Sequence, residues 1–280
     1  MAQPPFIAID IGNTRTKFGL FDATASQSFP LPTTTLEIAT GVGANEESET
    51  WLSKHCGGER KDQVAFWIGS VHREATAKLA AWLGERIPVN RVHILQFKDF
   101  PITLAVDHPE KLGLDRIAGG LAAGRLRLLD RGEAIPSPGV TSLDRAAIVA
   151  DLGSALTVDL ISAEGVFRGG AILPGIGMSA RALHDFTDQL PLIPMSELSE
   201  PVPPVGVDTV RAMRSGLYWG AVGAMRELIA RQSEGLAVPP HVFLTGGAAP
   251  AVAKLLSGTA RYEPHLVLSG IALAAQAQHL

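Results

Sequence analysis

One pattern occurs twice along the chain. Asp10-Ile-Gly-Asn-Thr-Arg-Thr and Asp151-Leu-Gly-Ser-Ala-Leu-Thr each follow an apolar run. Each carries an acid, a glycine two positions on, and a threonine six positions on (Thr16 and Thr157). Glycine and asparagine tolerate positive φ, so Gly12 and Asn13 predict a tight turn joining strands at 6–10 and 16–21. A second strand–turn–strand unit is predicted over 147–162. In a chain of 280 residues, such an echo predicts a duplicated domain with a cleft between the copies. The plainer alternative is a chance likeness of two short turns.

The remaining periodicities fit an α/β chain. Strands are predicted at 64–71, 92–95, 165–175 and 241–244. Helices are predicted at 74–86, 112–129, 178–190, about 209–232 and 269–278. The 112–129 helix has an apolar stripe of Leu114, Ile117, Ala118, Leu121, Ala122 and Leu128. Residues 130–145 are polar and rich in Pro and Gly, as is fitting for a connecting loop between domains at 1–129 and 146–280. A proline-rich connector runs over 191–204.

Several function classes are excluded at this level. Lys and Arg number 24 against 28 Asp and Glu, a net charge of −4, which argues against a general nucleic-acid binder. Cys56 is the only cysteine, so no intrachain disulfide or cysteine-based zinc cluster is expected, and a reducing, cytoplasmic setting is predicted. The first ten residues lack the basic region of a signal peptide. The uncharged stretch 235–253 is broken by Pro239, Pro240 and Pro250, so no membrane span is expected. No Gly-Lys pair exists, which excludes a P-loop. Gly175-Ile-Gly-Met-Ser-Ala180 has a dinucleotide-like spacing, but Pro174 precedes it and no acid-bearing strand follows; it reads as a turn into a helix. The eight histidines show no metal-binding spacing.

Four clusters could carry chemistry. In Asp10–Lys17, Gly12 lets the backbone approach a polyphosphate, Asn13 and Thr14 add donors, and Lys17 offsets charge. Asp10 could hold hydrated Mg²⁺, which takes one or two carboxylates with phosphate oxygens and water. An ordinary hairpin with an Asx turn is the alternative. Asp115-Arg116 opens a helix. An acid there is favoured by the helix dipole alone, but it could also accept a proton from a substrate hydroxyl in phosphoryl transfer. Arg116 could pair with a carboxylate. Asp151, Ser154, Thr157 and Asp159 line the second turn, with Gly153 allowing close approach. Thr245-Gly246-Gly247 follows a strand and leaves a slot for adenine or ribose; an ordinary strand-to-helix turn is the alternative for both.

In this order, Asp10-Ile-Gly-Asn-Thr with Lys17, Gly113-Leu-Asp-Arg116, Asp151 to Asp159, Gly169 to Gly175, Asp208-Thr209 and Thr245-Gly-Gly247 resemble type III pantothenate kinase over nearly the whole chain. The resemblance implies two duplicated ribonuclease-H-like domains of the actin/Hsp70/sugar-kinase-like superfamily. It implies ATP-dependent phosphorylation of pantothenate to 4'-phosphopantothenate, the first step toward coenzyme A. By carry-over, Asp115 is the base. Gly113, Leu114, Asp115, Arg116 and Thr209 bind pantothenate. Asp10, Ile11, Gly12, Asn13, Thr14, Arg15, Thr16, Lys17, Ser154, Gly246 and Gly247 bind ATP. Asp151 holds a monovalent cation, K⁺ or NH₄⁺, and the family is homodimeric. Ser154 replaces the family's usual threonine and keeps its hydroxyl. Val106 stands where the family often has tyrosine. Other readings of the same motifs are a non-catalytic accessory relative, or a kinase of a sugar or other small molecule.

Overall fold

The computed structural model describes residues 4–22, 29–41, 46–56, 64–129, 145–194, 202–256 and 258–278. Apart from Arg145, the predicted 130–145 loop lies outside the described residues, as does 195–201 of the connector. The chain divides into two compact units, residues 1–129 with 265–280, and residues 130–264.

The first unit is built on β1 (Phe6–Ile11), β2 (Arg15–Phe21), β3 (Thr34–Ala39), β4 (Ala65–Ser70) and β5 (Val92–Ile94). Their order in the sheet is β3-β2-β1-β4-β5. β1–β2 and β2–β3 are antiparallel; β1–β4 and β4–β5 are parallel. β1 is apolar at five of its six positions because both faces of this central strand are covered. Ile7, Ile9 and Ile11 pack on one face with Leu52 of α1 (Glu46–Cys56) and Leu79 of α2 (Arg73–Gly84). Phe6 and Ala8 pack on the other face with Ile117 and Ala118 of α3 (Leu114–Leu129). α1 places Glu46, Glu47 and Glu49 in its first turn and Lys54 in its last, matching the helix dipole.

The second unit repeats this plan. It contains β6 (Ala147–Leu152), β7 (Ala155–Ile161), β8 (Phe167–Pro174), β9 (His241–Thr245) and β10 (Arg261–Tyr262), ordered β10-β9-β6-β7-β8. β6–β7 and β7–β8 are antiparallel; β6–β9 and β9–β10 are parallel. Order and orientation thus match the first sheet strand for strand, which is the duplicated α/β architecture expected. α5 (Thr209–Ser233) and α6 (Ala249–Leu256) stand where α1 and α2 stand in the first copy. They bury Ile148, Ala150, Leu152, Leu156 and Val158 against Tyr218, Val222 and Val252. α4 (Ile176–Asp185) has no counterpart among the described residues of the first copy, and it ends five residues short of the predicted helix. The apolar stripe of α5 runs through Met213, Leu217, Tyr218, Val222 and Met225, while Val210 is exposed.

The predicted boundary at 146–280 needs correction at its C-terminal end. α7 (Leu266–Ala277) is the last helix of the second copy by chain order, yet it belongs to the first unit. Its Leu268 and Ile271 are almost fully buried. Two glycines in the first sheet make room for them: a Cβ on Gly19 would come 3.2 Å from Leu268 Cδ1, and one on Gly69 2.9 Å from Ile271 Cδ1. Each such buried side chain contributes about 1.5–3 kcal/mol. α7 also crosses α3 so closely that a Cβ on Gly270 would overlap the Ala118 carbonyl. Among the described residues, no helix is long and apolar enough to cross a membrane.

Gly270→Ala forces these two helices apart. Its urea unfolding midpoint should fall by the equivalent of about 1–3 kcal/mol. An unchanged midpoint would show that the crossing is not the constraint described.

Candidate active site

The strand register builds one row of side chains across the first sheet. Gly69, Asp10, Lys17 and Glu37 lie side by side on β4, β1, β2 and β3. Directly opposed residues share a face, and Asp10 follows Phe6 and Ala8 in alternation. The row therefore lies on the side covered by α3 and α7. Glu37 approaches Arg15 at 3.6 Å and Lys17 at 4.0 Å, so both cations are drawn toward β3.

Beyond the row, the chain turns through Gly12, Asn13 and Thr14. Asn13, Thr14 and Arg15 are exposed. The Gly12 N–H donates to the Arg15 carbonyl at 3.0 Å and closes the turn. Ile11 and Thr16, grouped with these residues by sequence, face the other way. Both are buried among Phe18, Ile38 and Leu79. The Thr16 hydroxyl lies 3.0 Å from that of Thr40. These two side chains support the turn and present no group to a ligand on the Asp10 side.

The head of α3 meets the same end of the sheet. The Val71 N–H donates to the Ile11 carbonyl at 3.0 Å, and a Cβ on Gly113 would lie 3.6 Å from Val71 Cγ1. That Cβ would also lie only 2.5 Å from Asp115 Oδ1, so the glycine in Gly113-Leu114-Asp115-Arg116 is the space the carboxylate occupies. Asp115 Oδ1 accepts the Arg116 N–H at 2.8 Å. Two effects oppose each other on this acid. Burial pushes its pKa up, whereas the Arg116 N–H and guanidinium pull it down; burial wins. The result is a carboxylate more basic than an ordinary surface aspartate, at the carboxyl end of parallel strands, where open α/β sheets bind ligands.

Sequence reasoning missed two residues here. Thr40 follows β3, a strand in a stretch without clear periodicity. His265 precedes α7; its pKa is lowered by burial and then by the charge of Lys17, which places its ring near that ammonium. Nothing in the local sequence around either residue signals these contacts.

The second unit repeats the acid with different neighbours. Asp151 lies between Thr245 on β9 and Thr157 on β7. Its turn is one residue shorter: Leu152 pairs with Leu156, whereas Ile11 pairs with Thr16. The threonines six positions after each acid are therefore not equivalent, and Thr157 occupies the place of Lys17. Glycine backbone encloses Asp151. Gly246, at φ +97°, has no room for a Cβ against Asp151 Oδ1, and Gly175 has none against the Gly153 and Ser154 carbonyls. Ser154 is half-buried on the turn and its carbonyl accepts the Gly175 N–H at 3.1 Å. Gly247 is exposed beside Gly246. Asp159 and Thr157 are buried. Thr209 is the first residue of α5, whose N-cap Asp208 accepts the Arg211 N–H at 2.8 Å.

Among the described residues, no three His, Cys, Asp or Glu side chains cluster to hold a metal. This donor set suits a hydrated Mg²⁺ completed by phosphate oxygens on the single carboxylate of Asp10. The glycine cradle around Asp151 leaves one carboxylate oxygen beside backbone, a donor set suited to a weakly hydrated monovalent cation.

The model of the family "Type III pantothenate kinase" matches residues 6–231. The type III pantothenate kinase of Gluconobacter oxydans (strain 621H) is 34% identical over 275 residues, covering 96% of this chain and 92% of that protein. That of Acidiphilium cryptum (strain JF-5) is 30% identical over 285 residues, covering 96% and 93%. Among solved structures, ethanolamine utilization protein EutJ from Carboxydothermus hydrogenoformans matches with a TM-score of 0.51 and 13% identity, over 98% of this chain and 90% of that one. That likeness concerns the fold alone.

The burial of Asp115 has a signed consequence. Its folded-state pKa lies above the unfolded value, so its stabilising contribution is full below the unfolded pKa and is lost as pH rises through the folded one. At neutral pH the ionised side chain is a cost. Asp115→Asn should raise the thermal midpoint at pH 7, with the gain shrinking as pH falls and lost below about pH 3, where the aspartate is protonated in both states. A lower midpoint at pH 7 would refute the burial argument.

Proposed function

The chain belongs to the type III pantothenate kinase family, and from that premise we propose that it moves the γ-phosphoryl group of ATP to the primary hydroxyl of pantothenate through Asp115. The observation that carries the residue assignment is the half-buried, raised-pKa carboxylate of Asp115 at the same sheet end as the Asp10–Lys17 turn. Asp115 takes the hydroxyl proton as the oxygen bonds to the γ-phosphorus and the bond from that phosphorus to the β–γ bridging oxygen breaks, releasing ADP. Such transfers have loose transition states, so placement counts for more than base strength. Arg116, with Gly113, Leu114 and Thr209, holds pantothenate, the guanidinium at its carboxylate. The turn from Gly12 to Arg15 and the ammonium of Lys17 hold the phosphates. Ser154, Gly246 and Gly247 contact ATP as well. Mg²⁺ on Asp10 and K⁺ or NH₄⁺ on Asp151 would neutralise phosphate charge when bound.

A cytoplasmic homodimer is part of this reading. Four apolar side chains of the second unit, Ile172, Phe186, Val205 and Val207, are 63–87% exposed and offer surface for a partner subunit to cover.

Purified protein with Mg²⁺, K⁺ and ATP should release ADP only when pantothenate is present. Asp115→Asn should keep ATP binding and lose at least about a hundredfold in kcat. Replacing K⁺ by Na⁺ should depress the rate. ADP release indifferent to pantothenate would overturn the function, near-normal turnover in the variant would overturn the base, and indifference to K⁺ would remove the role of Asp151.

A further inference from the structure

We propose that Thr40 is the positioning residue of the phosphate turn, turning its amides toward the ligand by holding its carbonyls from behind. Three hydrogen bonds carry this. The Thr40 N–H donates to the Thr14 carbonyl at 2.9 Å. The Thr40 hydroxyl donates to the Gly12 carbonyl at 3.0 Å. The same hydroxyl lies 3.0 Å from Thr16 Oγ1. A hydroxyl has one proton. Since that of Thr40 goes to Gly12, Thr16 is the donor to Thr40, and a chain runs from the Thr16 hydroxyl through Thr40 to the Gly12 carbonyl.

Peptide planarity turns this into an orientation. No peptide bond among the described residues is cis, so each N–H points opposite to the carbonyl of the preceding residue. Fixing the Gly12 carbonyl toward Thr40 directs the Asn13 N–H away from it. Fixing the Thr14 carbonyl does the same for the Arg15 N–H. An anion needs donors already aimed at it, because reorienting peptides during binding costs affinity. Without the Thr40 hydroxyl, the Gly12 carbonyl loses that tether, and Gly12 is the turn residue with the least side-chain restraint.

Thr40 touches no reacting atom in this account. It works through the turn, and the inference rests on the reading that this turn binds ATP. Thr40 is half-buried, so valine, of the same shape and β-branched, fits the site without the hydroxyl, and serine keeps the hydroxyl. The test measures the Kd of ATP by calorimetry, and the KM values for ATP and pantothenate, in wild type, Thr40→Val, Thr40→Ala and Thr40→Ser.

Thr40→Val and Thr40→Ala should raise both the Kd and the KM of ATP about tenfold, the scale of one hydrogen bond to a bound charged group. The KM of pantothenate should not move, and Thr40→Ser should bind ATP like wild type. Thr40→Ala carries the result should valine lower the thermal midpoint. Wild-type ATP affinity in both hydroxyl-free variants overturns the inference, as does serine failing as they do, or equal shifts in both KM values. Wild type that binds no ATP overturns the functional reading together with it. Wild type that binds and turns over while the variants match it overturns the role of Thr40 alone.

Discussion

The pairing of β1 with β2 sets the rest of the first unit. With Ile11 opposite Thr16, Asp10 falls opposite Lys17 and on the α3/α7 side of the sheet. A slip of one residue would send Asp10 into the apolar layer under α2 and move Ile9 and Ile11 to the opposite face. That outcome is blocked by burial on both faces: Ile7, Ile9 and Ile11 on one, Phe6 and Ala8 on the other. Register and charge placement are thus one constraint. An ammonium beside the acid, a glycine on its other flank and an open turn beyond it follow directly.

The two helices on that face complete the arrangement. α3 and α7 approach each other through Gly270 and Ala118, and the sheet beneath them is thinned by Gly19 and Gly69. Such close packing fixes where α3 begins, and hence where Asp115 stands. Its carboxylate occupies the space a side chain at Gly113 would fill. The same economy recurs around Asp151, where Gly246 and Gly175 bring backbone against the acid and its turn. The two copies keep one acid at one position of one sheet and differ in its neighbours, an ammonium in the first and a hydroxyl in the second.

Much of this was legible in the residues. The acid–glycine echo foretold two sheets of one topology, and the apolar stripe of 112–129 foretold α3. β3 was not legible: Thr34-Thr-Leu-Glu-Ile-Ala39 is a short edge strand with one side polar, and no turn signal marks its partner. Thr40, at its end, was hidden for the same reason. The matching threonines misled, because one extra turn residue shifts Thr16 by a position and so to the opposite face of the sheet. α7 misled as well, since chain order says which copy a helix comes from, and packing against Gly19, Gly69 and Ala118 says where it rests. The role of Gly113 emerges only when its missing side chain is seen to be where Asp115 lies.

On the proposed reading, the Asp10 row, its turn and Asp115 form one phosphoryl-transfer site. A crystal structure with a non-hydrolysable ATP analogue and pantothenate tests it most directly. The analogue's phosphates should lie on the amides of residues 13–15, and the primary hydroxyl of pantothenate about 2.6–3.2 Å from an Asp115 oxygen. Either ligand bound away from these residues, with Asp115 facing neither, would contradict it.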